Sequence, residues 1–131
     1  MANPNIVAVT SILGETTYLT PSATSSVILL PNAASSGKVY KINQIVAANV
    51  DGSSAVNTSV DIYTNGAVAQ GSASSGGTAY PIVSTVSVPA DASLIVTDKT
   101  TAIYLMENTS IAVTSGTASK ITYTISYEII S

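Results

Sequence analysis

The chain carries seven carboxylates and four amines, and with neither histidine nor cysteine these must support any acid, base or nucleophilic chemistry. A glycosidase-like pair needs two acids flanking one bond. The acids are Glu15, Asp51, Asp61, Asp91, Asp98, Glu107 and Glu128, and each has a plainer use. Asp51 opens an Asp-Gly turn, Asp61 lies on the wet face of a strand, and Asp91, Asp98 and Glu107 sit at strand ends. A serine nucleophile needs a base. Lys38, two residues after Ser36, and Lys120, directly after Ser119, both fall in loops. Calcium asks for clustered oxygen ligands, and "DGSS" and "DKTT" are too sparse. No Lys, Asn and acid trio stands out for an isopeptide bond. Tyr63 and Tyr104 are expected on outer strand faces, where a ring can stack on a sugar or pack across strands. The reading is of a protein that is not an enzyme, with no catalytic residue, cofactor or metal ligand assigned.

The elements that would hold such groups are strands. At 131 residues the chain is one domain, 46% hydrophobic, with tyrosine as its only aromatic and with a net charge of −3. Ser and Thr exceed a quarter of the sequence, and β-branched residues with scattered Gly and Pro favour pleated sheet. Only 8% of residues are charged, so the surface is largely hydroxyl, amide and small apolar groups. Such a surface desolvates readily against another protein. Four dispersed lysines without arginine exclude a nucleic-acid stripe. The opening "MANPNIVAVTSILGETT" lacks the cationic stretch of a signal peptide and is too short in apolar residues to span a membrane.

Along the chain, residues 1–15 read as an extended N-terminal arm and residues 16–131 as a single β-sandwich domain. Strands are expected over 16–20, 26–30, 38–50, 57–64, 80–88, 92–98, 101–106, 110–113 and 120–131. Pro21 and Pro31 are expected to stop the first two. In "KVYKINQIVAANV" the shared parity of Tyr40, Ile42, Val46, Ala48 and Val50 is interrupted by Gln44, with a bulge near Asn43–Gln44 as the alternative. "GSASSGGTA" (71–79) reads as a flexible loop. The closing "KITYTISYEIIS" alternates Ile121, Tyr123, Ile125, Tyr127 and Ile129 against Thr122, Thr124, Ser126 and Glu128. Short strands with turn signals every eight to twelve residues or so indicate an all-β antiparallel sandwich, jelly-roll-like, of about eight to ten strands.

Four segments together, "MANPNIVAVTSILGETT", "KVYKINQIVAANVDGS", "VDIYTNG" and "VPADASLIVTDKTTAIYLMENTSIAV", resemble the small β-rich virion structural proteins of tailed phages that infect cyanobacteria. These motifs shape a fold, and "GSASSGGTA" looks like an insertion into the pattern. The resemblance implies a non-enzymatic particle component in the virion, with the head surface favoured over a tail, collar or fibre. There it would be a capsid decoration or cement protein seated over major capsid subunits, forming a homo-oligomer, with a trimer favoured. Its partners would be virion subunits, with no nucleic acid and no membrane. The tail or fibre alternative brings carbohydrate contact on the host surface. The partner-binding residues expected in the arm are Asn5, Ile6, Val7, Val9, Ile12 and Leu13, which could lie along a neighbour or add a strand to it.

Overall fold

A computed structural model describes residues 8–131. Nine strands follow in chain order: β1 (Ile12–Leu19), β2 (Val27–Asn32), β3 (Val39–Asn49), β4 (Val56–Tyr63), β5 (Ala79–Val88), β6 (Ser93–Thr97), β7 (Ile103–Leu105), β8 (Thr109–Ser115) and β9 (Ile121–Ile130). Period-two alternation sets each of the longer strands. In β9 the side chains of Ile121, Tyr123, Ile125 and Tyr127 are buried while Thr122, Thr124, Ser126 and Glu128 stay half-exposed. The single 3-10 turn Lys99–Thr101 between β6 and β7 is closed by a reciprocal capping box between Asp98 and Thr101.

The strands form two antiparallel sheets. Sheet A runs β1-β9-β3-β6, with β7 beside β3, and sheet B runs β2-β8-β4-β5. The result is all-β and sandwich-like. The core lies between the sheets: Ile42, Ile45, Ala47, Ile121, Tyr123 and Ile125 from sheet A meet Leu29, Val56, Val60, Ile111 and Val113 from sheet B. Each such aliphatic side chain contributes about 1.5–3 kcal/mol of transfer free energy. Tyr123 is wholly buried. Its hydroxyl donates to the Thr114 carbonyl at 2.8 Å and is also bonded to the Thr58 hydroxyl, so a polar atom crosses the core fully partnered.

Three local readings change. The register of β3 on β9 slips between Ile42 and Gln44, so the bulge alternative holds. Downstream of it Ile45, Ala47 and Asn49 turn inward, and Val46, Ala48 and Val50 turn outward. Pro31 does not stop β2 but lies inside it, opposite Ser110. An edge strand tolerates a missing N–H, and β2 is an edge. Finally, β1 begins at Ile12 and pairs with β9 from Ile12↔Ile130 to Leu19↔Tyr123, so the boundary expected at residue 15 falls within a strand.

The segment 64–78, expected as a flexible loop in its later half, is a strap fastened along its length. Val68 packs on Ile28, Tyr63 and Ala112, a second apolar cluster on the outer face of sheet B. Gly71 donates to the Ile28 carbonyl at 2.8 Å and Ile28 to the Ser72 carbonyl at 3.0 Å, and Ala73 bridges Val27. Gly66 must be glycine because a Cβ there would stand 2.0 Å from the Asn32 carbonyl oxygen.

Candidate interaction surface

The strand registers lay out the outer face of sheet A in rungs. One rung is Gly14–Glu128–Lys41–Tyr104, the next Thr16–Ser126–Gln44, and the next Tyr18–Thr124–Val46–Ile95. Hydroxyls hold the face together. Thr16 and Ser126 share a hydrogen bond at 3.0 Å, and Thr20 and Thr122 share one at 2.8 Å. Large apolar side chains stand above these hydroxyls: Tyr18 is 71% exposed, Ile95 58%, Ile12 54% and Tyr104 48%.

An open depression of about 340 Å³ lies in this face, bordered by Gly14, Thr16, Asn43, Ser126 and Glu128. The bulge delivers Asn43 to it, where the amide Nδ2 donates to Glu128 Oε1 at 3.1 Å. The Asn43 carbonyl oxygen is buried without a partner. Lys41, Asn43 and Glu128 thus come to one place, a juxtaposition the bulge creates and spacing alone does not reveal. Lys41 faces Glu128 across the pair β3–β9.

On the inner side at the β1 edge, the Tyr127 hydroxyl donates to Glu15 Oε2 at 2.9 Å, and the Tyr127 ring lies 5.3 Å from that of Tyr40. Burial first, and then the Glu15 carboxylate, push the Tyr127 phenol far above its ordinary range. Burial also raises Tyr40, and pushes Tyr123 up to about 12. Tyr123 and Tyr127 are structural donors at any ordinary pH.

The outer face of sheet B differs. Asp61 is the single charged residue in β2, β4, β5 and β8. It is 8% exposed, not on the wet face expected of it, and desolvation raises its carboxyl pKa. Beside it Tyr63, expected outside, is 6% exposed under the strap, and its hydroxyl oxygen accepts from the Gly77 N–H at 2.9 Å. Tyr104 does lie exposed.

Asp51 and Asp98 are turn-makers, while Glu107 Oε1 accepts from the Gly37 N–H of a distant loop at 3.1 Å. Asp51 Oδ1 accepts from the Ser53 N–H and hydroxyl at 2.9 Å each, and Asp98 Oδ1 accepts from the Thr100 hydroxyl at 2.5 Å and the Thr100 N–H at 2.9 Å. Those hydrogen bonds hold both carboxyls below the usual range. No Ser-x-x-Lys spacing was expected in the chain, but Ser35 and Lys38 stand in it. They flank an exposed turn in which Ser36, not Ser35, makes the bonds, donating to Asn32 Oδ1 at 2.6 Å. Among the described residues no three His, Cys, Asp or Glu side chains gather closely enough to hold a metal.

Of the six residues expected to bind a partner, Asn5, Ile6 and Val7 lie outside the described residues. Val9 is half-buried, and Ile12 and Leu13 are exposed members of β1. Tyr18, Ile95 and the notch at Gly14 went unmarked, although the outward parity of Tyr18 was available from the strand pattern. Comparison with known protein families, with curated proteins and with solved structures returns no match to this chain.

Proposed function

We propose that the protein is a non-enzymatic structural component of a phage virion, a capsid decoration or cement protein that adheres to major capsid subunits as a homo-oligomer and stabilises the head. The observation that carries this reading is the outer face of sheet A. It is a firm hydroxyl-bonded wall from which Ile12, Tyr18, Ile95 and Tyr104 project. Side chains of this kind anchor interfaces, and the thin charge around them leaves few ions to desolvate. The strand order β1-β9-β3-β6 over β2-β8-β4-β5 supports a jelly-roll reading of the sandwich. The resemblance to cyanophage virion proteins points the same way.

The test is binding to purified heads that lack the protein, followed by pelleting. Full-length chain should co-pellet to saturation, and the double variant Ile95→Ser/Tyr104→Ser should lose most of that binding while melting unchanged. Deleting residues 1–7 should weaken attachment without unfolding the domain. Equal binding to bare beads, or none to heads, overturns the reading.

A second placement, on a tail, collar or fibre with host carbohydrate as ligand, is favoured by one feature. The Tyr104 ring is exposed on the same rung as Lys41 and Glu128, which combines a stacking platform with charged hydrogen-bonding groups. Titration with host lipopolysaccharide separates the two placements.

A further inference from the structure

Gly14 has no explanation inside the protomer. It occupies the interior of β1, where glycine weakens a strand, and such a glycine often marks the close approach of another chain. Its φ is not positive, and a Cβ built on it would meet nothing within 4 Å. The space above it is the depression bounded by Thr16, Asn43, Ser126 and Glu128. Four residues on, Tyr18 projects from the same face of the same strand and is 71% exposed. A vacancy and a ring to fill it therefore lie on one strand.

That strand is also a free edge. Ser11 exchanges backbone bonds with Ser131 at 3.0 Å each way, so odd residues of this segment face β9. The Tyr18 carbonyl instead accepts from Gln70 Nε2 at 3.4 Å, so even residues direct their groups outward. The N–H and C=O of Ile12, Gly14 and Thr16 accordingly point away from the sheet, and no further strand pairs with β1 among the described residues.

We propose that two copies of this chain pair β1 to β1, antiparallel about a dyad at Thr16, with Tyr18 of each copy lying over Gly14 of the other. The register follows from three constraints. Outward-directed residues must oppose one another, which requires even against even. A dyad at Glu15 would set the two carboxylates directly opposite, a destabilising like-charge pair. A dyad at Gly14 would leave both Tyr18 rings in water. Centred on Thr16, Gly14 opposes Tyr18, Leu13 opposes Leu19, and Glu15 opposes Thr17.

An aromatic ring over a cross-strand glycine stabilises an edge. Since strands lie about 4.8 Å apart, the ring crosses Gly14 toward Glu128, its neighbour on β9, whose carboxylate accepts the tyrosine hydroxyl. Leu13, 58% exposed in the protomer, gains an apolar partner. Gln70 retains its shorter bond to the Thr17 hydroxyl, 2.9 Å, as the Tyr18 carbonyl takes the Gly14 N–H of the other copy. The two A sheets then run continuously across the dyad.

This pairing deepens the homo-oligomer part of the proposed function and sets a dyad where the resemblance favours a three-fold axis. Its test is separate from particle binding. The chain has no cysteine, so single substitutions report the register cleanly. Residues opposite at a hydrogen-bonded dyad have Cα atoms about 5.5 Å apart, within disulfide reach. Thr16→Cys should oxidise to a covalent dimer, whereas Tyr18→Cys, about 13 Å from its own copy in this register, should not. Sedimentation equilibrium of the unmodified chain should give a dimer. Tyr18→Ser should weaken it about tenfold or more, with an unchanged melting curve at concentrations where both proteins are monomers. A monomer at all concentrations, a trimer, or equal cross-linking at both positions overturns the pairing. A monomer that still decorates heads would remove this inference and leave the proposed function standing.

Discussion

The two outer faces of the sandwich are built from similar residues and come to opposite ends. On sheet A the hydroxyls of Thr16, Thr20, Thr122 and Ser126 bond to each other across strands, and large apolar side chains project above them into solvent. On sheet B the strap 64–78 lies down on Ile28, Tyr63 and Ala112 and removes them from water. The outer face of sheet B is covered and that of sheet A is left exposed, although Tyr80 at the β5 edge of sheet B also stands 59% exposed. Exposed large apolar side chains spaced over an otherwise stable wall are the kind of anchor an interface uses, which is why the functional reading rests on sheet A.

The contrast can be broken most forcefully at the strap. Ile28→Ala, beneath it and fully buried, should cost about 2–5 kcal/mol in chemical denaturation. A smaller loss of about 1–3 kcal/mol is expected from Gly66→Ala, whose new methyl would collide with the Asn32 carbonyl. Both losses should appear in denaturant midpoints, and neutral results at the two sites would show that the strap is not a structural cover.

Asp61 sharpens the comparison through pH. Desolvation raises its folded pKa above the unfolded value of 3.8, so the stability linked to its protonated form is fully present below that value. It is lost as pH rises through the raised folded pKa. Asp61→Asn should therefore stabilise the domain at pH 7 and make little difference at pH 3, measured by urea titration at both. A variant less stable at pH 7 would mean the carboxylate has a partner under the strap.

The smallest effect belongs to the exposed face. Tyr104→Ser or Ile95→Ser should change protomer stability by no more than about 0.5 kcal/mol, because neither side chain is buried. Losses comparable to Ile28→Ala would erase the distinction between the faces.

Strand positions were legible because alternation in segments such as 121–130 follows directly from the pleat. What was not legible came from long-range geometry. The bulge at Asn43 reversed the facing of everything after it in β3, and an alternating pattern reads equally well in either phase once one residue is skipped. The low-complexity stretch looked unattached because its fastenings are backbone groups of Gly71, Ser72 and Ala73, which no side chain advertises. Asp61 looked wet because its parity was right and only the cover was missing. Ile12 and Leu13, expected to bind a partner, stand exposed on β1; the outward parity of Tyr18 was there in the alternation, while the notch at Gly14 required the register of β1 on β9.

The most direct measurement is a reconstruction of the intact phage particle at a resolution that traces strands. The sandwich should stand on the exterior of the shell, with the outer face of sheet A turned toward capsid subunits. Particles whose shells lack it entirely, or in which that face stands open to solvent while sheet B makes the contacts, would contradict the account.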